Sequence, residues 1–329
     1  MGAMSLRLAT FNVQHGRMPD GRVDPPFLAA AVSTLRADVV ALQEVDRGQV
    51  RSAGADLAAL VAQAMGAADH RYVPAVVGRV EPRRAAPGQA PGDDDPALAL
   101  APLAQATGPA LLPAAGRVLR SRAGRAAARA YLGTWVSRRR ARGDEPDDVP
   151  AYGIALISRY PVRQWRQVRL PLGSPWLFGR LQLGTDQPRV AVCAVVETPD
   201  GPLTVVTTHL SSGSTWNQTQ LRWLAERLRG APRPLVLMGD LNLRGSVPTE
   251  LTGWRDLVEI DTYPRHRPWI GIDHVLVDDV APAVGEPIDP GAPHPGGRVH
   301  SLAPARAVDL GISDHCAVVV DVRLGPPRP

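Results

Sequence analysis

The sequence predicts an α/β protein whose β-sheets are covered on their faces by helices. Two observations carry this reading. Short apolar runs rich in β-branched residues recur along the chain, and segments with helical spacing lie between them. A third observation supports it: 44% of the 329 residues are hydrophobic, enough for a substantial core.

The first strand is "LRLATFNV", with Leu6, Leu8 and Phe11 alternating. Asp24 followed by Pro25 provides a cap and first turn for a helix running to Arg36. "ADVVALQEV" is a buried strand, "GADLAALVAQAMG" a helix stopped near Gly66, and "YVPAVV" another strand. After an interruption come the strands "YGIALIS", "RVAVCAVVE" and "LTVVTTHL". A helix from about Thr215 to Arg229 follows, with Leu221, Leu224 and Leu228 on one face. The strand "PLVLMGD" comes next, and "GIDHVLV" and "CAVVVDV" close the series.

The interruption covers residues 79–150. Its first half is rich in Pro, Gly and Asp and reads as loop. In the second half, Arg117 to Arg142 contains nine arginines and no acid, with Ala128, Leu132, Trp135 and Val136 at helical spacing. This predicts a basic helix suited either to phosphates or an anionic membrane surface, or to docking its apolar stripe on the body. The formal charge is +5, and all 37 basic residues are arginine. The absence of lysine excludes a P-loop lysine and Schiff-base chemistry. With no run long enough to span a membrane and no signal-peptide layout at the start, the expectation is a cytoplasmic protein without a transmembrane segment. Cys193 and Cys316 lie in apolar runs and read as buried thiols.

Polar residues recur where apolar strands end. Asn12 follows "LATF", Glu44 follows "VVALQ", His209 follows "TVVTT", and Asp240 and Asn242 follow "LVLMG". Asp273 and His274 lie in "GIDHVLV", and Asp314 and His315 precede "CAVVVDV". Strand ends converge on one rim in sheets with helical cover, so these residues predict a shared site. Their types suit phosphoester hydrolysis. Glu44, with Asn12 and Asp314, offers oxygen ligands for Mg²⁺ or Mn²⁺. Asp240 suits the handling of an attacking water, and Asn242 and the histidines suit contact with phosphoryl oxygens. His274 reads equally as a satisfied core histidine. His15, His70, His266, His294 and His300 read individually as surface or loop residues, and Trp216, Trp223, Trp254 and Trp269 as packing. "TYPRHRPW" places Arg265, His266 and Trp269 just before Asp273, as candidate substrate contacts.

The segments "TFNVQHG", "VVALQEVD", "YGIALISRYPV", "VVTTHLS", "LVLMGDLN", "IDHVLV" and "SDHCAVVV" occur in an order and spacing that resemble the endonuclease/exonuclease/phosphatase superfamily. Its members include deoxyribonucleases, abasic-site endonucleases, sphingomyelinases and inositol-polyphosphate 5-phosphatases. The resemblance implies a four-layer αββα sandwich of two packed mixed sheets over residues 5–323, interrupted by the insertion at about 79–150. It implies a divalent ion at Glu44 supported by Asn12 and Asp314, and in-line attack on phosphorus. Asp240 would handle water, Asn242 and His209 would bind phosphate, and Asp273 and His315 would act as acid-base or transition-state partners. A phosphodiester is the expected substrate class, with nucleic acid among its sources. A lipid headgroup, a small phosphomonoester and a catalytically silent scaffold are the alternatives. Gln14 stands where abasic-site enzymes usually carry an acid, so the chain resembles the sphingomyelinase-like and small bacterial branches more. The insertion matches no branch pattern.

Overall fold

The computed structural model describes residues 5–79, 139–141, 146–172, 176–177, 180–181, 187–212, 215–279 and 298–325. In chain order the strands are β1 (Leu6–Asn12), β2 (Val39–Arg47), β3 (Asp69–Val77), β4 (Arg139–Arg140), β5 (Ala151–Ser158), β6 (Val162–Arg169), β7 (Trp176–Leu177) and β8 (Arg180–Leu181). They continue with β9 (Val190–Thr198), β10 (Gly201–Thr208), β11 (Leu235–Asp240), β12 (Arg255–Asp256), β13 (Asp273–Asp278), β14 (Arg298–Ser301), β15 (Arg306–Val308) and β16 (Ala317–Gly325). The helices are α1 (Pro25–Ser33), α2 (Leu57–Met65), α3 (Trp216–Arg227) and α4 (Val247–Thr252).

Two mixed sheets form the centre. One has the order β14-β16-β1-β2-β5-β3-β4, with β15 also paired to β16; the other has the order β12-β13-β11-β10-β9-β6. Period-2 alternation decides how they stack. Leu6 and Leu8 of β1, Val39 and Ala41 of β2, Val236 and Met238 of β11, and Val275 and Val277 of β13 fill one shared apolar layer between the sheets. The opposite faces pack outward. Ala9, Phe11, Val40 and Leu42 meet α1 and α2, while Leu235, Leu237 and Leu276 meet α3. The result is the four-layer αββα sandwich.

The predicted caps form as expected. Asp24 accepts a hydrogen bond from Phe27 N at 3.0 Å with Pro25 in the first turn, and Gly66 ends α2 in the left-handed conformation. Both cysteines are buried free thiols. The sequence patterns miss β6, which reads "VRQWRQVR". It is an edge strand with most side chains outside the core, so it carries no apolar alternation.

One expectation is corrected. Arg139 and Arg140, at the end of the predicted basic helix, pair as strand β4 with Val77 and Val76 of β3. The β3 edge has open ladder positions there, and pairing satisfies backbone groups that a helix would have had to satisfy within itself. Arg117 to Arg138 lie outside the described residues.

The layer between the sheets is apolar except at one end. There the fully buried Gln43 donates through Nε2 to Thr10 Oγ1 on its own sheet and to Thr207 Oγ1 on the other, each at 3.0 Å. Beyond this crossing lies the site.

Candidate active site

Strand direction brings the polar residues together. β1 and β2 run parallel, and β10 and β11 run parallel, so Asn12, Glu44, His209 and Asp240 leave their sheets at the same rim. β13 and β16 run antiparallel to these neighbours and begin at that rim, which delivers Asp273, Asp314 and His315. The two sheets contribute separate halves that join through side chains. Asn12 Nδ2 on the first sheet donates to Asp240 Oδ2 on the second at 3.0 Å. His315 Nδ1 donates to Asp273 Oδ2 at 2.9 Å, and its Nε2 lies 3.7 Å from Asp240 Oδ2.

Alternation resolves the choice at "IDHV". Asp273 has the parity of Val275 and Val277, points between the sheets, and joins the site. His274 has the parity of Leu276, points toward the helices, and is fully engaged. Its ring contacts Asp256 Oδ2 at 2.6 Å and Leu243 O at 2.8 Å, so it is the satisfied core histidine.

Glu44 departs from alternation. Leu42 and Val45 both face the helices, and the pairing with β5 shifts register between them. The extra residue is taken up with Glu44 at φ 58°, a bulge that turns its carboxylate to accept from Asn12 Nδ2 at 3.3 Å. Non-glycine residues rarely adopt this conformation, and its cost at a site residue fits a structure that uses the resulting direction. Asn242 is also left-handed, at φ 51°; its N–H donates to Asp240 Oδ1 at 3.0 Å, and its carboxamide donates to Leu210 O at 3.0 Å.

Asp240 is almost fully buried. Burial first, and then the charge of Asp273, raises its pKa above the usual carboxylate range, against the opposing pull of His315 and Asn12. His315 is driven the other way. Burial disfavours its charge, but the charge and hydrogen bond of Asp273, helped by Asp240 and Asp314, overcome that and raise its pKa to about 10. It is therefore an imidazolium at neutral pH. His209 Nε2 lies 3.2 Å from Asn242 Nδ2 and 3.3 Å from Asp240 Oδ2. Burial, with Arg189 and His315, keeps His209 well below the ordinary histidine range, so its contact with Asp240 is between a neutral ring and a carboxyl group.

Asp240, Asp273 and His315 bring potential ligand atoms within 4.8 Å of one another. Within this group the one hydrogen bond joins His315 Nδ1 to Asp273 Oδ2, which leaves His315 Nε2 and the Asp240 carboxyl facing each other 3.7 Å apart. A second set of oxygen donors that could hold a hard divalent cation includes Glu44. Its carboxyl is half-buried, and its pKa is raised by burial and by the nearby charge of Asp314. A cation beside two mutually repelling carboxylates would relieve both penalties, and oxygen donors from Glu44, Asp314 and Asn12 suit Mg²⁺ or Mn²⁺.

The three candidate substrate contacts have different surroundings. Arg265 Nη1 binds both oxygens of Asp309 at 2.7 Å and its Nε donates to Ser313 O at 3.1 Å, so its guanidinium holds the 309–314 loop. His266 is exposed. Trp269 is 64% exposed, with the Arg244 guanidinium 5.7 Å from its ring centroid, so this residue is a surface platform. Trp254 is buried packing, as expected.

Sequence reasoning missed two contributors. Arg189, immediately before β9, sits close enough for its charge to depress the pKa values of Glu44 and His209, and its buried Nε has no hydrogen-bond partner among the described residues. Its position directly before an apolar strand was the available signal. Ser313 hydroxyl donates to Asn12 O at 2.6 Å and accepts from His315 N at 3.2 Å, which ties the two sheet-edge segments together. Its place in "SDH" gives no hint of that partner.

Comparison with known proteins agrees with this architecture. The structure is similar to an endonuclease/exonuclease/phosphatase from Beutenbergia cavernae DSM 12333, with a TM-score of 0.56, 21% identity, and coverage of 98% of this chain and 72% of that one. It is also similar to a functionally unknown conserved protein from Enterococcus faecalis V583, with a TM-score of 0.53, 14% identity, and coverage of 97% and 100%. A third similar structure is an endonuclease/exonuclease/phosphatase from Bacteroides vulgatus, with a TM-score of 0.51, 15% identity, and coverage of 98% and 99%. At these identities the likeness is one of fold. No curated protein matches the sequence significantly. The family match covers residues 9–315, from the first strand to the histidine that completes the rim, and by that match the chain belongs to the endonuclease/exonuclease/phosphatase family.

Proposed function

We propose that this protein is a divalent-metal-dependent hydrolase that cleaves a phosphodiester by attack of a water molecule held at Asp240. Members of its family are hydrolases of phosphoesters and typically use a divalent metal. The observation that carries the reading is the environment of Asp240. This buried carboxyl is raised in pKa, fixed by Asn12 and by the Asn242 backbone, and lies beside one neutral and one charged histidine.

A raised pKa makes Asp240 a stronger base than an ordinary carboxylate, which suits it to orienting and deprotonating water. Bound at Glu44 with support from Asn12 and Asp314, Mg²⁺ or Mn²⁺ would supply Lewis-acid neutralisation of charge building on the phosphoryl group. His315, held protonated by Asp273, presents a cation to the developing negative charge or a proton to the leaving oxygen. His209 and Asn242 are uncharged and complement the single negative charge of a diester, and Arg189 adds a guanidinium at the same rim. Exposed His266 and Trp269 follow Tyr263, whose ring packs on His315, and are the candidate contacts for the rest of the substrate. Arg265 serves by holding the loop that carries Asp314. The catalytic body is residues 5–323, with residues 79–150 as an insertion. Among the described residues no helix is long and apolar enough to cross a membrane.

The test is an activity panel with Mg²⁺, Mn²⁺ or excess chelator, covering DNA, RNA, sphingomyelin, inositol phosphates and bis-p-nitrophenyl phosphate. Metal-dependent turnover of a diester is the expected result. Undiminished turnover in chelator, or no turnover of any substrate, would sink the proposal.

A further inference from the structure

We propose that Thr262 is a positioning residue for the Asp273–His315 pair, setting the rotation of the carboxylate and thereby the direction of the imidazole ring. The inference rests on the reaction proposed above for its kinetic consequence, but the geometry stands independently of it.

Thr262 is fully buried, and its hydroxyl donates to Asp273 Oδ2 at 2.5 Å. The same oxygen accepts from His315 Nδ1 at 2.9 Å. The other carboxylate oxygen, Oδ1, is buried with no hydrogen-bond partner among the described residues. The terminal torsion of an aspartate is broad, so the two partners on Oδ2 hold this carboxylate in plane with the imidazole. The backbone of Thr262 is fixed on both sides. Its N–H donates to Ile270 O at 3.0 Å, and its carbonyl accepts from Cys316 N, the residue after His315, at 2.8 Å. One residue thus grips Asp273 through its side chain and the His315 segment through its main chain. The next residue completes the arrangement, with the Tyr263 ring tilted 50° against the His315 ring at a centroid distance of 4.9 Å. A valine at 262 would keep the shape and remove the hydroxyl. Asp273 would then retain one partner and be free to swing Oδ2 out of line.

The experiment compares Thr262→Val and Thr262→Ser with the wild-type protein. It measures kcat and KM for bis-p-nitrophenyl phosphate with Mn²⁺, the fold by circular dichroism, and the downfield Nδ1–H proton resonance of His315 by NMR. Because a misplacement of ~1 Å at a reacting group costs ~10²-fold, Thr262→Val is expected to lower kcat about 10- to 100-fold with KM within about twofold of wild type. Thr262→Ser, which keeps the donor, should recover most of the rate. The Nδ1–H resonance should persist in the serine variant and broaden or vanish in the valine variant. If Thr262→Val does not fold, Thr262→Ala, which removes the hydroxyl together with the methyl and adds no bulk, carries the same expectation. An unchanged resonance in the donor-less variant would overturn the proposal, as would a serine variant impaired as much as valine. The resonance is read without turnover, so a protein inactive on every substrate would defeat the proposed reaction and still test the role of Thr262.

Discussion

Replacing Gly239 with alanine tests how closely β10 and β11 must approach beneath the site. A Cβ at Gly239 would stand 2.1 Å from the carbonyl oxygen of Thr208 and 3.2 Å from its carbonyl carbon. Both obstructing atoms are backbone, so no side chain can turn aside. Ordinary contact begins at 3.4 Å, and restoring it requires the two chains to part by about 1.3 Å at this point. The movement falls one residue before Asp240 and one before His209. It pulls on the 3.0 Å bond from Leu210 N to Asp240 O that joins the two strand ends. Overpacking of this kind costs ~1–3 kcal/mol, and at ~2–4 °C per kcal/mol the melting midpoint should fall by several degrees. If Asp240 handles the attacking water as proposed, a displacement of ~1 Å between it and His209 should lower kcat about 100-fold while the protein stays folded at 25 °C. Differential scanning fluorimetry reads the first effect, and hydrolysis of bis-p-nitrophenyl phosphate with Mn²⁺ the second. A variant matching wild type in both would refute the idea that this backbone contact sets the site.

Three further outcomes are expected. Glu44→Gln should stay folded and bind Mn²⁺ at least about 10-fold more weakly by calorimetry, since a carboxylate bound to a cation is replaced by a neutral amide; unchanged affinity would move the metal away from Glu44. Arg189→Gln should lower kcat/KM by about 10- to 100-fold, the value of a charge-assisted hydrogen bond of ~1.5–3 kcal/mol, and a wild-type value would remove Arg189 from substrate contact. The third concerns His274. Burial opposes its charge, but the hydrogen bond and charge of Asp256 raise its pKa above 6.5. A raised folded pKa gives stability that is complete below the unfolded value and lost as pH rises through the folded one. The gap in urea stability between wild type and Asp256→Asn should therefore be widest below about pH 6.5 and narrow above it; a gap that widens with pH would contradict the assignment.

Much of this arrangement is legible in the sequence because local rules carry it. The alternation Leu6, Leu8, Thr10, Asn12 assigns the last residue to the interior face, and the same rule would have separated Asp273 from His274. What local rules could not supply is direction set from a distance. Glu44 reaches the site only through a left-handed bulge against β5, a conformation that nothing in "LQEV" announces. Ser313 finds Asn12 across 301 positions of sequence, and Thr262 finds Asp273 only after its hairpin has folded back. Arg265 looks like a free cation in "YPRHRP" and is instead consumed by Asp309. For Arg139 and Arg140, helical spacing competed with an open strand edge on β3, and the edge won.

The polar crossing at Gln43 has a mechanical consequence. An interface of valine and leucine side chains resists separation strongly but sliding only weakly, because apolar attraction has little directional preference. The candidate site residues are divided across that interface, with Asn12 and Glu44 on one slab and His209, Asp240 and Asp273 on the other. A slip of one slab by a fraction of a residue would leave the protein folded and the halves out of alignment. Gln43 works as a dowel driven through both slabs beside the seam. Shearing it should first appear as lost alignment, and only later as lost cohesion.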